Sequence, residues 1–147
     1  MPLNGVARKA AAAAAAAWIG VAVLAGCERK QEPPPDPVAV SYFEAMAAGD
    51  SGSAMNYIYF TAEEKADAEE MQRIGNMLRQ MSSASRHRAE TKDGLKSVVA
   101  SEVTKGEPGE NGEETASVNL EITTGDGEVT HQELNLIKTQ EGWKVKL

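Results

Sequence analysis

Cysteine and cationic charge are both scarce in this sequence. Cys27 is the one cysteine, so no disulfide can close within the chain. There is no CxxC pair, no Gly-rich phosphate loop and no GxSxG nucleophile turn, and no pattern calls for a cofactor. Cations are outnumbered, with 15 Lys and Arg against 22 Asp and Glu. Two of the cations, Arg8 and Lys9, lie in residues 1–26, which hold no acid. Residues 27–147 therefore carry 13 Lys and Arg against 22 Asp and Glu, a formal charge of −9. Such a surface repels phosphate backbones and anionic headgroups, which argues against nucleic acid as a partner and against membrane attachment by a basic patch. The 147 residues suit one domain with one hydrophobic core.

The N-terminal 26 residues have their own pattern. A short flank ends in Arg8-Lys9, and an uncharged, mostly apolar run follows from Ala10 to Gly26, beginning with the alanines Ala10–Ala17. A cationic flank, an apolar stretch and then small residues is the layout of a secretory signal peptide, with the flank held in the cytoplasm. Length alone also allows an uncleaved anchor, because 17 residues is the lower limit for a spanning helix. The run ends in Leu24-Ala25-Gly26-Cys27, which resembles the lipobox of bacterial lipoproteins. That resemblance implies a diacylglyceryl group on the Cys27 thiol, cleavage between Gly26 and Cys27, and frequent acylation of the new amino group. One acyl chain holds a protein marginally, whereas two or three hold it stably.

Residues Glu28–Asp36 are charged and proline-rich, with Pro33–Pro35 suited to extended polyproline II. Residues 27–36 are thus expected to be a lipidated cysteine and tether, spanning at most about 30 Å. In proteobacterial lipoproteins an Asp after the cysteine often marks inner-membrane retention. Glu28 departs from that signal, which points to the outer membrane.

Residues 37–147 read as the folded domain. Asp36-Pro37 is a helix start, with the acid as N-cap and proline at the first helical position. Ala39, Tyr42, Phe43, Met46 and Ala47 follow at helical spacing, and Gly49-Asp50 ends the segment. Ser51 opens a second, shorter helix running to about Tyr59. Thr61-Ala62-Glu63-Glu64 is a capping box that opens the longest helix, to about Ser82. Met71, Ile74, Met77, Leu78 and Met81 form its apolar stripe, a core face or an adaptable ligand surface.

After Arg88 the period changes to two. Strands are predicted over residues 95–104, 115–123, 128–138 and 143–147. The expected inward face comprises Leu95, Ser97, Val99, Ser101 and Val103 on the first strand, and Ala116, Val118, Leu120 and Ile122 on the second. Gln132, Leu134 and Leu136 complete it on the third strand, with Trp143, Val145 and Leu147 on the fourth. Short turn-rich connections make this an antiparallel meander with one wet face. Helices followed by such a sheet predict an α+β fold with N-terminal helices packed on a four-stranded antiparallel sheet.

That order resembles the cone-shaped fold shared by nuclear transport factor two, SnoaL-like proteins and scytalone dehydratase. More narrowly, it is similar to lipoproteins of unknown function built on that fold. The resemblance is carried by the opening helix from Pro37 to Gly49-Asp50 and by the final strand Glu141-Gly142-Trp143-Lys144-Val145-Lys146-Leu147. It implies an interior cavity in which the fold's enzymes place an Asp or His.

No residue of the expected inward face can act as such a general acid or base. A one-residue slip in the third strand would instead turn His131 and Glu133 inward. On one face those two could hold a metal ion, but no third ligand accompanies them. The acidic loop Glu107, Glu110, Glu113 and Glu114 lacks the ligand spacing of calcium loops and reads as a solvated hairpin. His87, within Ser85-Arg86-His87-Arg88, reads as a helix exit. Tyr42, Tyr57, Tyr59, Gln132 and Trp143 are candidate pocket-lining residues, with core packing as the alternative for the aromatics. The reading favoured by the sequence is a non-enzymatic binding or interaction domain, lipid-anchored and facing the periplasm. Its expected partners are the membrane, through the anchor, and an envelope protein or small apolar ligand. The alternatives are a small-ligand carrier or enzyme using the cone cavity, and a purely structural envelope component.

Overall fold

The structure, a computed structural model, describes residues 34–147. The expected signal peptide, the lipobox-like Leu24 to Cys27 and most of the expected tether lie outside the described residues.

Helix α1 spans Asp36–Ala47 and buries Ala39, Tyr42, Met46 and Ala47 along one face. Its cap is Pro35, not Asp36. The aspartate is the first helical residue, makes no capping hydrogen bond, and lies in the turn where the helix dipole favours an acid. The chain leaves α1 through Gly49, whose φ of +77° suits a residue without Cβ. A Cβ there would also stand 2.8 Å from the Arg86 side chain. The next cap is Asp50, one residue before the expected Ser51. Its carboxylate accepts from the Ser53 amide at 3.0 Å and the Ser53 hydroxyl at 2.7 Å. Those bonds hold the Asp50 carboxyl below its usual range.

Helix α2, Ser51–Met55, is shorter than expected because the following residues join the sheet. Ile58 pairs with Val145 in parallel, through Tyr59 N–H to Val145 O at 2.8 Å and Val145 N–H to Tyr57 O at 2.6 Å. The expected single long helix is two. The Thr61 capping box, with both reciprocal bonds present, opens only α3, Ala62–Ala66. The chain then breaks at Asp67, which caps α4, Ala68–Glu90, by accepting from the Glu69 and Glu70 amides at 3.0 Å each. Helix α4 runs well beyond Ser82.

Strands β1 (Leu95–Lys105), β2 (Thr115–Thr124), β3 (Val129–Thr139) and β4 (Gly142–Lys146) form one antiparallel sheet in sequence order. The α+β meander read from the sequence is therefore the observed fold. Strand β2 alternates as expected, with Ala116, Val118, Leu120 and Ile122 buried. In β3 the register is settled by pairing. Leu120 faces Gln132 and Glu121 faces His131, so Gln132 shares the inner face while His131 and Glu133 look outward.

Strand β1 departs from expectation. Register shifts fall between Leu95 and Ser97 and between Ala100 and Glu102, and each spends one extra residue and reverses the alternation. Val98 and Ala100 consequently pair with Ile122 and Leu120 on the inner face. Val99, expected inside, stands opposite Glu121 and is 54% exposed. Ser97 turns outward with Thr123, and Ser101 sits at the second bulge with its hydroxyl on the Asn119 carbonyl at 3.1 Å. Val103 returns to the inner face, opposite Val118, after two reversals.

The core is built from Leu78, Val118, Leu120, Leu136 and Val145, with Ala39, Tyr42, Met46 and Ile58. Helix α1 packs against β1, β2 and β4 and also against α4, while no helix packs closely on β3. On the outer face Ile137 is buried beside the β1–β2 connection, where Gly109 comes close to its side chain. Two turns dock at one end of the sheet. Gly125 N–H donates to Gly94 O at 2.8 Å and Asp126 N–H to Lys92 O at 3.0 Å.

Candidate functional site

A groove forms where β3 lacks a covering helix. Its walls follow from the periodicity of α4. Ile74, Leu78 and Ser82 point into the core, and the small Ser82, Ser85 and Ala89 let this half of the helix lie against α1. The neighbouring stripe of α4, Met81, Ala84 and Arg88, faces the groove. The Met-rich stripe read from the sequence thus divides. Ile74 and Leu78 are core, whereas Met77 and Met81 remain 38% and 42% exposed. Helix α1 supplies Tyr42, Phe43 and Met46, and the inner face of β3 supplies Thr130 and Gln132.

The groove has two lobes. The larger, about 280 Å³, is lined among others by Phe43, Arg88, Lys92, Ile122, His131 and Gln132. The smaller, about 220 Å³, runs over Tyr42, Phe43 and Met46 toward Met81. Phe43, Ser85, Arg88 and Gln132 line both. Lys92 is paired with Glu128 at 2.5 Å. Arg88 has no carboxylate partner among the described residues and projects from an exposed position. Burial pushes the Tyr42 phenol above its usual range, so it stays neutral.

Two larger hollows are open troughs. One, about 440 Å³, lies between residues 55–60 and the β3–β4 turn and is lined by Tyr59, Lys65, Glu141 and Lys144 among others. The Lys144 ammonium is already committed there, to the Asn56 carbonyl at 2.7 Å. The other, about 590 Å³, lies under the β1–β2 connection beside Lys146 and Leu147.

The candidate pocket residues do not converge on one place. Tyr42 and Gln132 meet in the groove, and Tyr59 lines the separate trough. Tyr57 and Trp143 pack against the core. The groove residues missed by the sequence are Phe43 and Arg88. His131 Nε2 lies 3.5 Å from the Glu121 carboxylate on the outer face. Among the described residues no three His, Cys, Asp or Glu side chains are placed to hold a metal ion. In the acidic loop Glu113 accepts from the Asn111 amide at 3.0 Å, and such backbone bonds hold its carboxyl below the usual range. Glu114 lies 3.3 Å from the Lys138 ammonium.

With this geometry in view, comparison with known families is informative. The model of a domain of unknown function, DUF4878, matches residues 27–146. The chain belongs to that family. Among solved structures it is similar to a Campylobacter jejuni protein provisionally named an NTF2-like transpeptidase. The two share 20% identity at a TM-score of 0.66, over 78% of this chain and 99% of the other. The likeness establishes an NTF2-like fold. No curated protein matches the chain.

Proposed function

We propose that this DUF4878 chain is a lipid-anchored domain of the cell envelope, held on the periplasmic side of a membrane through Cys27, and that it binds through the groove rather than catalysing a reaction. The observation carrying the proposal is the coincidence of two boundaries. The lipobox Leu24-Ala25-Gly26-Cys27 puts the mature N-terminus at Cys27, and the family match begins at residue 27. Helix α1 begins at Asp36, which leaves a short proline-rich spacer between the cysteine and the first folded element. Among the described residues no helix is long and apolar enough to cross a membrane, so a grip on the bilayer falls to the N-terminal segment.

The groove suits holding more than chemistry. Its charged groups are the cations Arg88 and Lys92, no carboxylate lines either lobe, and the imidazole of the lining residue His131 is turned toward Glu121 on the outer face rather than toward the Ser85 hydroxyl. The transpeptidase name belongs to the Campylobacter protein, and at this identity only the fold carries over. Fractionation tests the anchor. The wild-type chain is expected in the membrane fraction, with the outer membrane favoured by Glu28, and Cys27→Ser in the soluble periplasm or as an uncleaved precursor. A Cys27→Ser chain processed and membrane-bound like the wild type overturns the proposal.

A further inference from the structure

The groove has an electrostatic character opposite to that of the chain. Of 22 Asp and Glu in the sequence, none lines either lobe. Arg88 lines both without a carboxylate partner among the described residues, and Lys92, paired with Glu128, stands on the rim of the larger. The other polar groups there include the Gln132 amide and the Ser85 and Thr130 hydroxyls, so the rim is rich in hydrogen-bond donors. Beneath it the floor is apolar, made by Phe43 and Ile122 in one lobe and by Phe43 and Met46 in the other.

The apolar surface continues along α4. Met77, Met81, Ala84 and Arg88 fall on one stripe of the helix, and Arg88 to Met77 spans about 16 Å at the helical rise. Both methionines are substantially exposed, and their unbranched thioethers can repack around a guest. A guanidinium at one end of such a stripe leaves five donors in a fork that matches a carboxylate.

We propose that the groove binds a single-chain amphiphile with one terminal carboxylate. The carboxylate sits where the lobes join, on Arg88 and the Gln132 amide, and the apolar body lies over Phe43 and Met46 toward Met81. Lobes of about 280 and 220 Å³ suit a slender ligand and fall short of the larger sites that take drug-sized molecules. This assignment rests on the reading of the groove as a binding site and names its ligand class.

Equilibrium dialysis with radiolabelled decanoate, decanol and acetate tests it. The full chain is used with Cys27→Ser, so that no covalent acyl chain competes. Decanoate is expected to bind about tenfold or more tightly than either probe lacking one half of the amphiphile. Arg88→Gln should bring decanoate down to the level of decanol, Arg88→Lys should fall between, and Met81→Glu should weaken decanoate by placing a like charge along its body. Arg88 is exposed, so unchanged thermal unfolding of its variants separates lost binding from lost folding. Equal binding of decanoate and decanol, or decanoate binding indifferent to Arg88→Gln, overturns the proposed ligand class and leaves the groove as a binding site. No binding of decanoate or decanol overturns both, while the anchor at Cys27 stands or falls on fractionation alone.

Discussion

Asp126 shows how single residues stabilise this domain. Its carboxylate accepts from the Thr124 hydroxyl at 2.6 Å and from the Glu128 amide at 3.0 Å, closing the β2–β3 turn. Those bonds favour the charged form and hold the Asp126 pKa below 3.8, the ordinary value for aspartate. A carboxyl depressed in the folded state adds stability that is present above its unfolded pKa and is lost as pH falls through the folded one. Asp50, Glu70 and Glu113 act in the same direction. Urea unfolding at a series of pH values from 7 down to about 2 should show stability declining below the ordinary carboxylate range. The decline should be shallower in Asp126→Asn, and an identical slope would contradict this account of the turn. In the core, Leu78 is 1% exposed against α1 and α2. Leu78→Ala removes buried methyl groups and leaves a cavity, and should lower unfolding free energy by about 2–5 kcal/mol.

At the scale of elements, two junctions decide the shape. Asp67 ends α3 and caps α4 in one residue. Asp67→Ala should lower stability by about 1 kcal/mol and reduce helicity measured by circular dichroism. Gly125 joins the two docked turns so closely that a Cβ would stand 2.1 Å from the Asp93 carbonyl oxygen. Gly125→Ala must push the α4–β1 turn away, and should destabilise by about 1–3 kcal/mol as overpacking does; an unchanged melting temperature would contradict the docking. Element order, strand pairing and the β2 alternation were legible because long periodic segments carry their own signal. The break at Asp67 has a sequence mark too, since Asp67-Ala68-Glu69-Glu70 repeats the Thr61-Ala62-Glu63-Glu64 pattern, but the apolar stripe that runs on past it favours one long helix. The reversal in β1 was not legible, because bulges at both shifts restore parity and leave no compositional mark. The place of Arg88 in the groove is hidden for a related reason. The inward face of α4 changes from Ile74 and Leu78 to Ser82, Ser85 and Ala89, small residues that show no apolar period. The apolar period therefore ends before the helix does, and the last turns that carry Arg88 to the groove have no such mark.

At the scale of the whole molecule, the proposed envelope domain is an acidic body with a cationic-rimmed groove, following a short proline-rich spacer. Its formal charge of −9 over residues 27–147 gives it no electrostatic attraction to anionic lipid, so the proposed attachment rests on acyl chains at Cys27. Raised salt should accordingly leave the native protein on membranes, whereas salt would release a protein held by charge. Intact-mass spectrometry of the protein purified from its native membrane tests this most directly. The account predicts a chain that starts at Cys27 and carries the added mass of a diacylglyceryl group, with or without a further acyl chain. A chain that retains Met1 or the Ala10–Ala17 run, or that starts at Cys27 with no added mass, would contradict it.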